Sequence, residues 1–201
     1  RMEFQLKPFL IVTVSLAAII LSGHLFPFRF NIFVTQFVVP CLLIIAMREE
    51  LEDFGLGLGK IRLGVKITII VFIVSIPLCY LALTNQAYFK YYNLYTDYQQ
   101  LKSQVILFAR LFVTVLTTEF FFRGFLLFGL KKYYGDFAAI SVSIIPYVLL
   151  HSGKPMIEIP ISFFAGLALS YLVLKTNSIW YGVFLHWSIS LICYLWLIFY
   201  F

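Results

Sequence analysis

The chain consists of long runs of apolar residues that are broken only by short polar segments. Several runs approach the length of about 20 residues that an α-helix needs to cross the hydrocarbon core of a bilayer. In lipid, every backbone N–H and C=O must find a partner within the protein, so these runs are predicted to be helices. Charged residues make up only 12% of the 201 residues, about half the share that soluble domains carry. The pattern predicts an integral membrane protein.

The apolar runs predict an all-α, polytopic transmembrane bundle of about seven to eight helices. Because no internal repeat or linker separates them, residues 1–201 are expected to form one integral membrane domain. Residues 1–100 would supply accessory N-terminal helices, and residues 101–201 a core that carries the motifs described below. The predicted spans are 8–26, 30–47, 65–84, 103–130, 137–151, 159–174 and 178–200.

Basic residues cluster at the ends of the apolar runs, where Lys and Arg set the orientation of a membrane protein. The net charge is +6, but no basic patch is interleaved with aromatic residues, so nucleic acid is not an expected partner. With the N-terminus inside, cations are more numerous on the inner side, which favours this orientation. The inner set is Arg1, Lys7, Arg48, Lys60, Arg62, Lys66, Lys131, Lys132 and Lys175; the outer set is Arg29, Lys90, Lys102 and Lys154. The expected location is a bacterial plasma membrane.

Two further features carry expectations of their own. The segment 86–100 is rich in Tyr, and this composition predicts a loop at the membrane interface. The three cysteines, Cys41, Cys79 and Cys193, lie in apolar runs. Their odd number and their spacing favour small packing residues over a disulfide framework or a zinc site.

Glu119 is the only acid that lies deep within an apolar run. Arg123 follows four residues later, which puts the two side chains on one face of the helix. An isolated carboxylate in hydrocarbon is costly, so a pair between them is expected. Such a pair is consistent both with a structural ion pair that joins helices and with a functional site.

Two histidines lie in later apolar runs. His151 ends one of them, and His186 lies in the last, with Ser190 one turn further on the same face. Polar side chains in membranes face the bundle interior, so Glu119, Arg123 and both histidines are expected to converge. A Glu with a His suits general-base activation of water, and a second His with a hydroxyl suits stabilisation of an oxyanion. A metal site is the alternative, but the charge of Arg123 disfavours a further cation; no metal and no soluble cofactor is predicted.

These residues resemble the motifs of the CAAX protease and bacteriocin-processing family of intramembrane glutamic endopeptidases. The family motifs read E-E-x-x-x-R, F-x-x-x-H and H-x-x-x-N, in that order along the chain. The corresponding segments here are Thr118-Glu119-Phe-Phe-Phe-Arg123, Tyr147-Val-Leu-Leu-His151 and His186-Trp-Ser-Ile-Ser190. The resemblance covers about residues 101–193 and implies a catalytic four-helix core in the C-terminal half.

The chain departs from the family pattern at three positions. Thr118 stands where the family has its first Glu, Tyr147 replaces Phe, and Ser190 replaces Asn. The segment His151-Ser-Gly-Lys-Pro-Met-Ile-Glu158 resembles a branch that has a single Glu in the first motif and an H-x-G-K-P-x-x-E stretch. In that branch Glu158 would supply the second carboxylate. The alternative is that Glu158 is an ordinary acid at a helix N-terminus, favoured by the helix dipole.

The resemblance implies an intramembrane endopeptidase that cleaves membrane-anchored peptide or protein termini. Glu119 would be the general base or would position it, with Arg123 holding its charge and His151 sharing the water. His186 and Ser190 would stabilise the oxyanion. Two other functions stay open: a catalytically silent relative that acts as a scaffold or immunity protein, which Thr118 favours, and a transporter with proton-relay residues. The absence of an internal repeat in the sequence disfavours the transporter.

Overall fold

The computed structural model describes residues 2–22, 32–95 and 104–199. These residues form α-helices joined by short π and 3-10 segments, and no strand occurs among them, which confirms the predicted all-α fold. The helices are α1 Met2–Ser22, α2 Val39–Ala46, α3 Ile61–Leu83, α4 Gln86–Tyr95, α5 Gln104–Glu119, α6 Gly129–Leu149, α7 Glu158–Thr176 and α8 Trp180–Phe199.

Four stretches of the described chain are long and apolar enough to cross a membrane: Ile61–Leu83, Phe108–Leu149, Glu158–Thr176 and Trp180–Leu197. The second stretch contains two of the predicted spans, because Gly135 leaves the helical conformation (φ 75°, ψ 173°) and separates them. The first two predicted spans correspond to shorter apolar helices, Leu6–Leu21 and Val34–Ala46. Parts of the predicted spans and loops fall on residues 23–31 and 96–103, which lie outside the described residues.

The centre of the bundle is a π-helical segment, Phe120–Phe128, that connects α5 to α6. All nine of its residues are buried, and five aromatic side chains of this region form the middle of the core. Arg123 has the largest side chain among those that are fully buried in the described residues. Since π-helical turns are rare and occur often at functional sites, this segment marks the place where the site should be sought.

The predicted inner end of the bundle is held by polar contacts. Glu49 accepts hydrogen bonds from Lys7 of α1 at 2.7 Å and from Lys132 of α6 at 2.6 Å. The backbone N–H of Lys60 donates to the carbonyl of Thr176 at the end of α7, at 2.8 Å. The segment between α2 and α3 therefore joins the ends of three helices on one side of the bundle.

The prediction of a loop over residues 86–100 is wrong for its first part, because Gln86–Tyr95 forms the helix α4. The side chain of Asn85 caps this helix by accepting from the N–H of Tyr88 at 3.1 Å. Tyr88 and Tyr92 are one helical turn apart, with ring centroids separated by 4.6 Å, and both line the cavity described below. Tyrosines at this spacing give the short helix one face that packs on the bundle, which composition alone did not reveal.

Candidate active site

Glu119 is the last residue of α5 and is fully buried. Its Oε1 atom lies 3.2 Å from Nη1 of Arg123 and 2.7 Å from Nδ1 of His186. A carboxylate accepts hydrogen bonds, so the proton of this contact lies on Nδ1 of the imidazole. Glu119 thereby joins the central π-helical segment to α8 and determines which ring nitrogen of His186 carries hydrogen.

Two glycines leave room for this buried ion pair. A Cβ atom at Gly182 of α8 would lie 3.5 Å from Oε2 of Glu119. One at Gly166 of α7 would lie 3.6 Å from Nη2 of Arg123. A larger side chain at either glycine would occupy the space beside the charged groups, so these small residues allow α7 and α8 to close around them.

Tyr147 connects Arg123 to His151. The guanidinium carbon of Arg123 lies 4.0 Å from the centroid of the tyrosine ring, a cation–π contact. The Nδ1 atom of His151 lies 3.0 Å from the backbone carbonyl of Tyr147, and the two rings pack edge to face. Since a carbonyl only accepts, Nδ1 of His151 donates and its Nε2 is left as the acceptor of the neutral ring.

His151 lies in the turn between α6 and α7, close to the charged side chain of Lys154. Burial, and then the positive charge of Lys154, lower the pKa of His151 to about 4. The imidazole is therefore neutral near pH 7, and it can accept a proton or a hydrogen bond through Nε2.

A cavity of about 590 Å³ lies between α3, α4, α7 and α8. Most of its lining is aliphatic and aromatic, with a smaller number of polar side chains. This polar cluster includes four of the predicted site residues: His151, Glu158, His186 and Ser190. Glu119 and Arg123 do not line the cavity but lie behind His186. The arrangement is typical of a ligand site, an apolar concavity with few polar groups.

Glu158 is the carboxylate that lines the cavity. It is the first residue of α7 and is only 7% exposed. Its Oε2 atom accepts a hydrogen bond from the hydroxyl of Tyr92 at 3.0 Å and lies 3.5 Å from Nζ of Lys154. Its Oε1 atom is buried and has no hydrogen-bond partner among the described residues. One oxygen is thus held by the protein, while the other is a buried acceptor that has no partner among the described residues.

Thr118, which stands where the family has its first Glu, does not take part in this cluster. Its hydroxyl donates to the carbonyl of Thr114 within the same helix at 2.9 Å. The side chain is therefore used locally, as is common for Thr inside a helix.

The predicted residues consequently fall into two groups. Glu119, Arg123 and His186 are in direct contact, and His151, Glu158, His186 and Ser190 share the cavity wall, so His186 belongs to both groups. Sequence reasoning missed Tyr92 and Lys154, which contact Glu158. The only sequence signal for Tyr92 was its i, i+4 spacing from Tyr88. Lys154 was visible in the sequence as the Lys of the H-x-G-K-P stretch.

Within the ranges that the structure describes, no three His, Cys, Asp or Glu side chains are grouped as the ligands of a metal ion would be. The polar groups that line the cavity include two imidazoles, one carboxylate, one ammonium group, two thiols and several hydroxyls, and imidazole and carboxylate are groups that can carry out acid–base chemistry.

Comparison with protein families gives a match to the motif-bearing part of the chain. Residues 100–192 match the family model described as type II CAAX prenyl endopeptidase Rce1-like. The matched segment coincides with the stretch in which the motif resemblance was predicted, and it contains all six predicted site residues. No curated protein and no solved structure matches the chain significantly.

Proposed function

We propose, from the premise that residues 100–192 belong to the Rce1-like family, that this protein is an intramembrane endopeptidase that cleaves membrane-anchored peptide or protein termini. The observation that carries the proposal is the convergence of His151, Glu158, His186 and Ser190 on one mostly apolar cavity. Hydrolysis requires an activated water and donors for the oxyanion, and these four side chains can supply both.

We assign the general-base step to Glu158. Its Oε1 atom has no hydrogen-bond partner among the described residues, whereas its Oε2 atom accepts from Tyr92, so Oε1 is the oxygen to which we assign the proton from water. The Nε2 atom of His151 would accept the second hydrogen of the same water. The water then adds to the carbonyl carbon of the scissile peptide bond as its proton passes to Glu158.

His186 and Ser190 are assigned to the oxyanion of the tetrahedral intermediate. The Glu119 carboxylate accepts a hydrogen bond from Nδ1 of His186 and orients the imidazole; with hydrogen on both ring nitrogens, the ring would donate from Nε2–H to the oxyanion. Glu119 is therefore a positioning residue, and Arg123 balances its charge. When the intermediate collapses, the C–N bond breaks and the leaving amine takes the proton from Glu158, so one water is consumed for each bond cleaved.

The distribution of charge supports cleavage on the outer side of a bacterial plasma membrane. The cations near Glu49 and Lys60 lie together at one end of the bundle. This end is expected to face the inner side of the membrane, because Lys and Arg are more frequent on that side. At the opposite end of the bundle, His151 comes just after the helix α6, and Glu158 is the first residue of the helix α7. A cavity that opens there would receive termini that have been moved across the membrane.

A catalytically silent relative is the second candidate, and Thr118 favours it. The hydroxyl of Thr118 is bonded within its own helix and cannot replace a carboxylate. Such a protein would use the same cavity to bind a membrane partner without cleaving it.

Glu158→Gln separates the two candidates, because it retains the size of the side chain and removes its charge. The termini of membrane-anchored proteins would be compared by proteomics between cells that carry the wild type and cells that carry the variant. Fragments present in the wild type should disappear in Glu158→Gln. Glu52→Gln, which changes an exposed acid of the segment between α2 and α3, is the matched control and should retain them. Identical termini in the wild type, in Glu158→Gln and in cells that lack the protein would favour the silent relative, whereas fragments that persist in Glu158→Gln but are missing without the protein would take the general-base role away from Glu158.

A further inference from the structure

Two of the three cysteines meet in the wall of the cavity. Cys79 lies on α3 and Cys193 on α8, and both line the cavity. Their thiols interact directly with each other, and the thiol of Cys193 also interacts with the hydroxyl of Tyr88 on α4. The third cysteine, Cys41 on α2, packs instead against the hydrophobic core. The proposed hydrolysis uses none of these thiols.

The helix that carries Cys79 is the least buried of the four long apolar stretches, because α3 packs on the bundle along one side only. One end of α3 is held closely to α8, since a Cβ atom at Gly64 would overlap the ring of Tyr181. Toward its other end, the contact between α3 and α8 includes the two thiols. A covalent bond at that position would fix α3 to α8 at both ends.

We propose that Cys79 and Cys193 form a reversible disulfide that fastens α3 to α8 in the cavity wall. In this structure the two thiols are not bonded to each other. In the oxidation, one thiolate attacks a small-molecule disulfide and releases its first thiol, which leaves a mixed disulfide on the protein. The second thiolate displaces the other thiol and completes the new S–S bond. Two electrons and two protons leave the protein, and the small disulfide is reduced to two thiols.

The position of the pair in the membrane supports this chemistry. Both cysteines lie toward the end of the bundle that carries Tyr88 and the turn after α6, opposite the end held by Glu49. The distribution of Lys and Arg assigns that end to the outer side, where conditions are oxidising and disulfides persist.

The experiment treats the purified full-length protein, in detergent micelles, with limiting 4,4′-dithiodipyridine and then measures the intact mass and the peptides of a non-reducing digest. In the wild type we expect a mass lower by two hydrogens and a peptide pair that joins Cys79 to Cys193, both reversed by dithiothreitol. Cys41→Ser is the matched control, because it removes the cysteine outside the cavity, and the crosslink should form unchanged. In Cys79→Ser, the remaining Cys193 should instead keep a thiopyridyl adduct.

Separate thiopyridyl adducts on Cys79 and Cys193 of the wild type, without a peptide that joins them, would overturn the proposal. A crosslink seen only between two copies of the chain on a non-reducing gel would overturn it as well. Because the decisive measurement is made on the wild type, its outcome does not depend on the folding of a variant. It also requires no cleavage assay, so it can fail or succeed independently of the proposed peptidase activity.

Discussion

Oε1 of Glu119 contacts Nδ1 of His186 at 2.7 Å, although the two residues are 67 positions apart in the chain. The same oxygen is 3.2 Å from Nη1 of Arg123, so one buried atom serves both an intrahelical ion pair and a contact between helices. A purely structural pair would need only the guanidinium. The contact with an imidazole that lines the cavity connects the pair to the proposed chemistry.

The first prediction concerns the role of this pair. Glu119→Gln should lower the free energy of unfolding by about 3–5 kcal/mol, because it leaves the Arg123 guanidinium buried without a countercharge. The double variant Glu119→Leu/Arg123→Met replaces both charges with apolar groups and should recover much of this loss. Stability would be measured by unfolding of the detergent-solubilised protein.

Cleavage should not recover in the double variant, since His186 would lack the carboxylate that orients it. A stable double variant with wild-type cleavage would show that the pair is structural only. Arg123→Met alone is a useful reference, because it leaves the Glu119–His186 contact in place.

The second prediction concerns the hydroxyl of Tyr92, which donates to Glu158 at 3.0 Å. Tyr92→Phe should lower kcat about 10- to 150-fold, since a hydrogen bond to a charged group contributes roughly 1.5–3 kcal/mol. KM should change by less than about 2-fold, because the hydroxyl positions the base rather than the substrate. Steady-state kinetics on a cleaved peptide would measure both constants.

Tyr80→Phe provides the control for this change, because Tyr80 is 60% exposed on α3 and does not line the cavity. Its kinetics should match those of the wild type. A rise in KM at constant kcat in Tyr92→Phe would instead assign Tyr92 to substrate binding.

The third prediction concerns pH and the contacts of Glu49. Partial burial alone raises the pKa of Glu49, but the bonds and charges of Lys132 and Lys7 outweigh it and hold the pKa below its ordinary value. The folded state therefore favours the ionised carboxylate. Its contribution to stability is fully present above the unfolded pKa of about 4.3 and is lost as the pH falls through the lower folded pKa.

Glu49→Gln should consequently lower the free energy of unfolding by about 1 kcal/mol at neutral pH, because two partly exposed Lys side chains lose their shared partner. The difference from the wild type should shrink in strongly acidic buffer. Thermal unfolding at several pH values would measure it, with Glu50→Gln, at the exposed neighbouring acid, as the control. A difference that does not depend on pH would contradict the ionic origin.

The fourth prediction concerns orientation. In a background without cysteine, Met156→Cys should react with a membrane-impermeant maleimide in intact cells, because this 84% exposed residue lies in the turn beside the cavity. Leu58→Cys, at a 65% exposed residue in the segment before α3, should react only after lysis. The reverse pattern would place the cavity on the inner side and contradict the orientation drawn from Lys and Arg.

Several properties follow from one-dimensional patterns, and the structure or the family match confirms them. Long apolar runs imply helices because lipid offers no partner to the backbone, and the described residues are helical. The order of the three motifs predicted the segment that matches the Rce1-like family. The spacing of Glu119 and Arg123 predicted their contact, because four residues make about one helical turn.

Contacts between distant residues did not follow from these patterns. Hydropathy indicates that a segment is buried in lipid, but it does not give the rotation of each helix about its axis. That rotation places Glu158 in the cavity wall and Glu119 behind His186, so it separates the two carboxylates into different environments. It also brings Tyr92 to Glu158 and Cys79 to Cys193. Such pairs depend on the packing of whole helices, which arises only when the chain has folded.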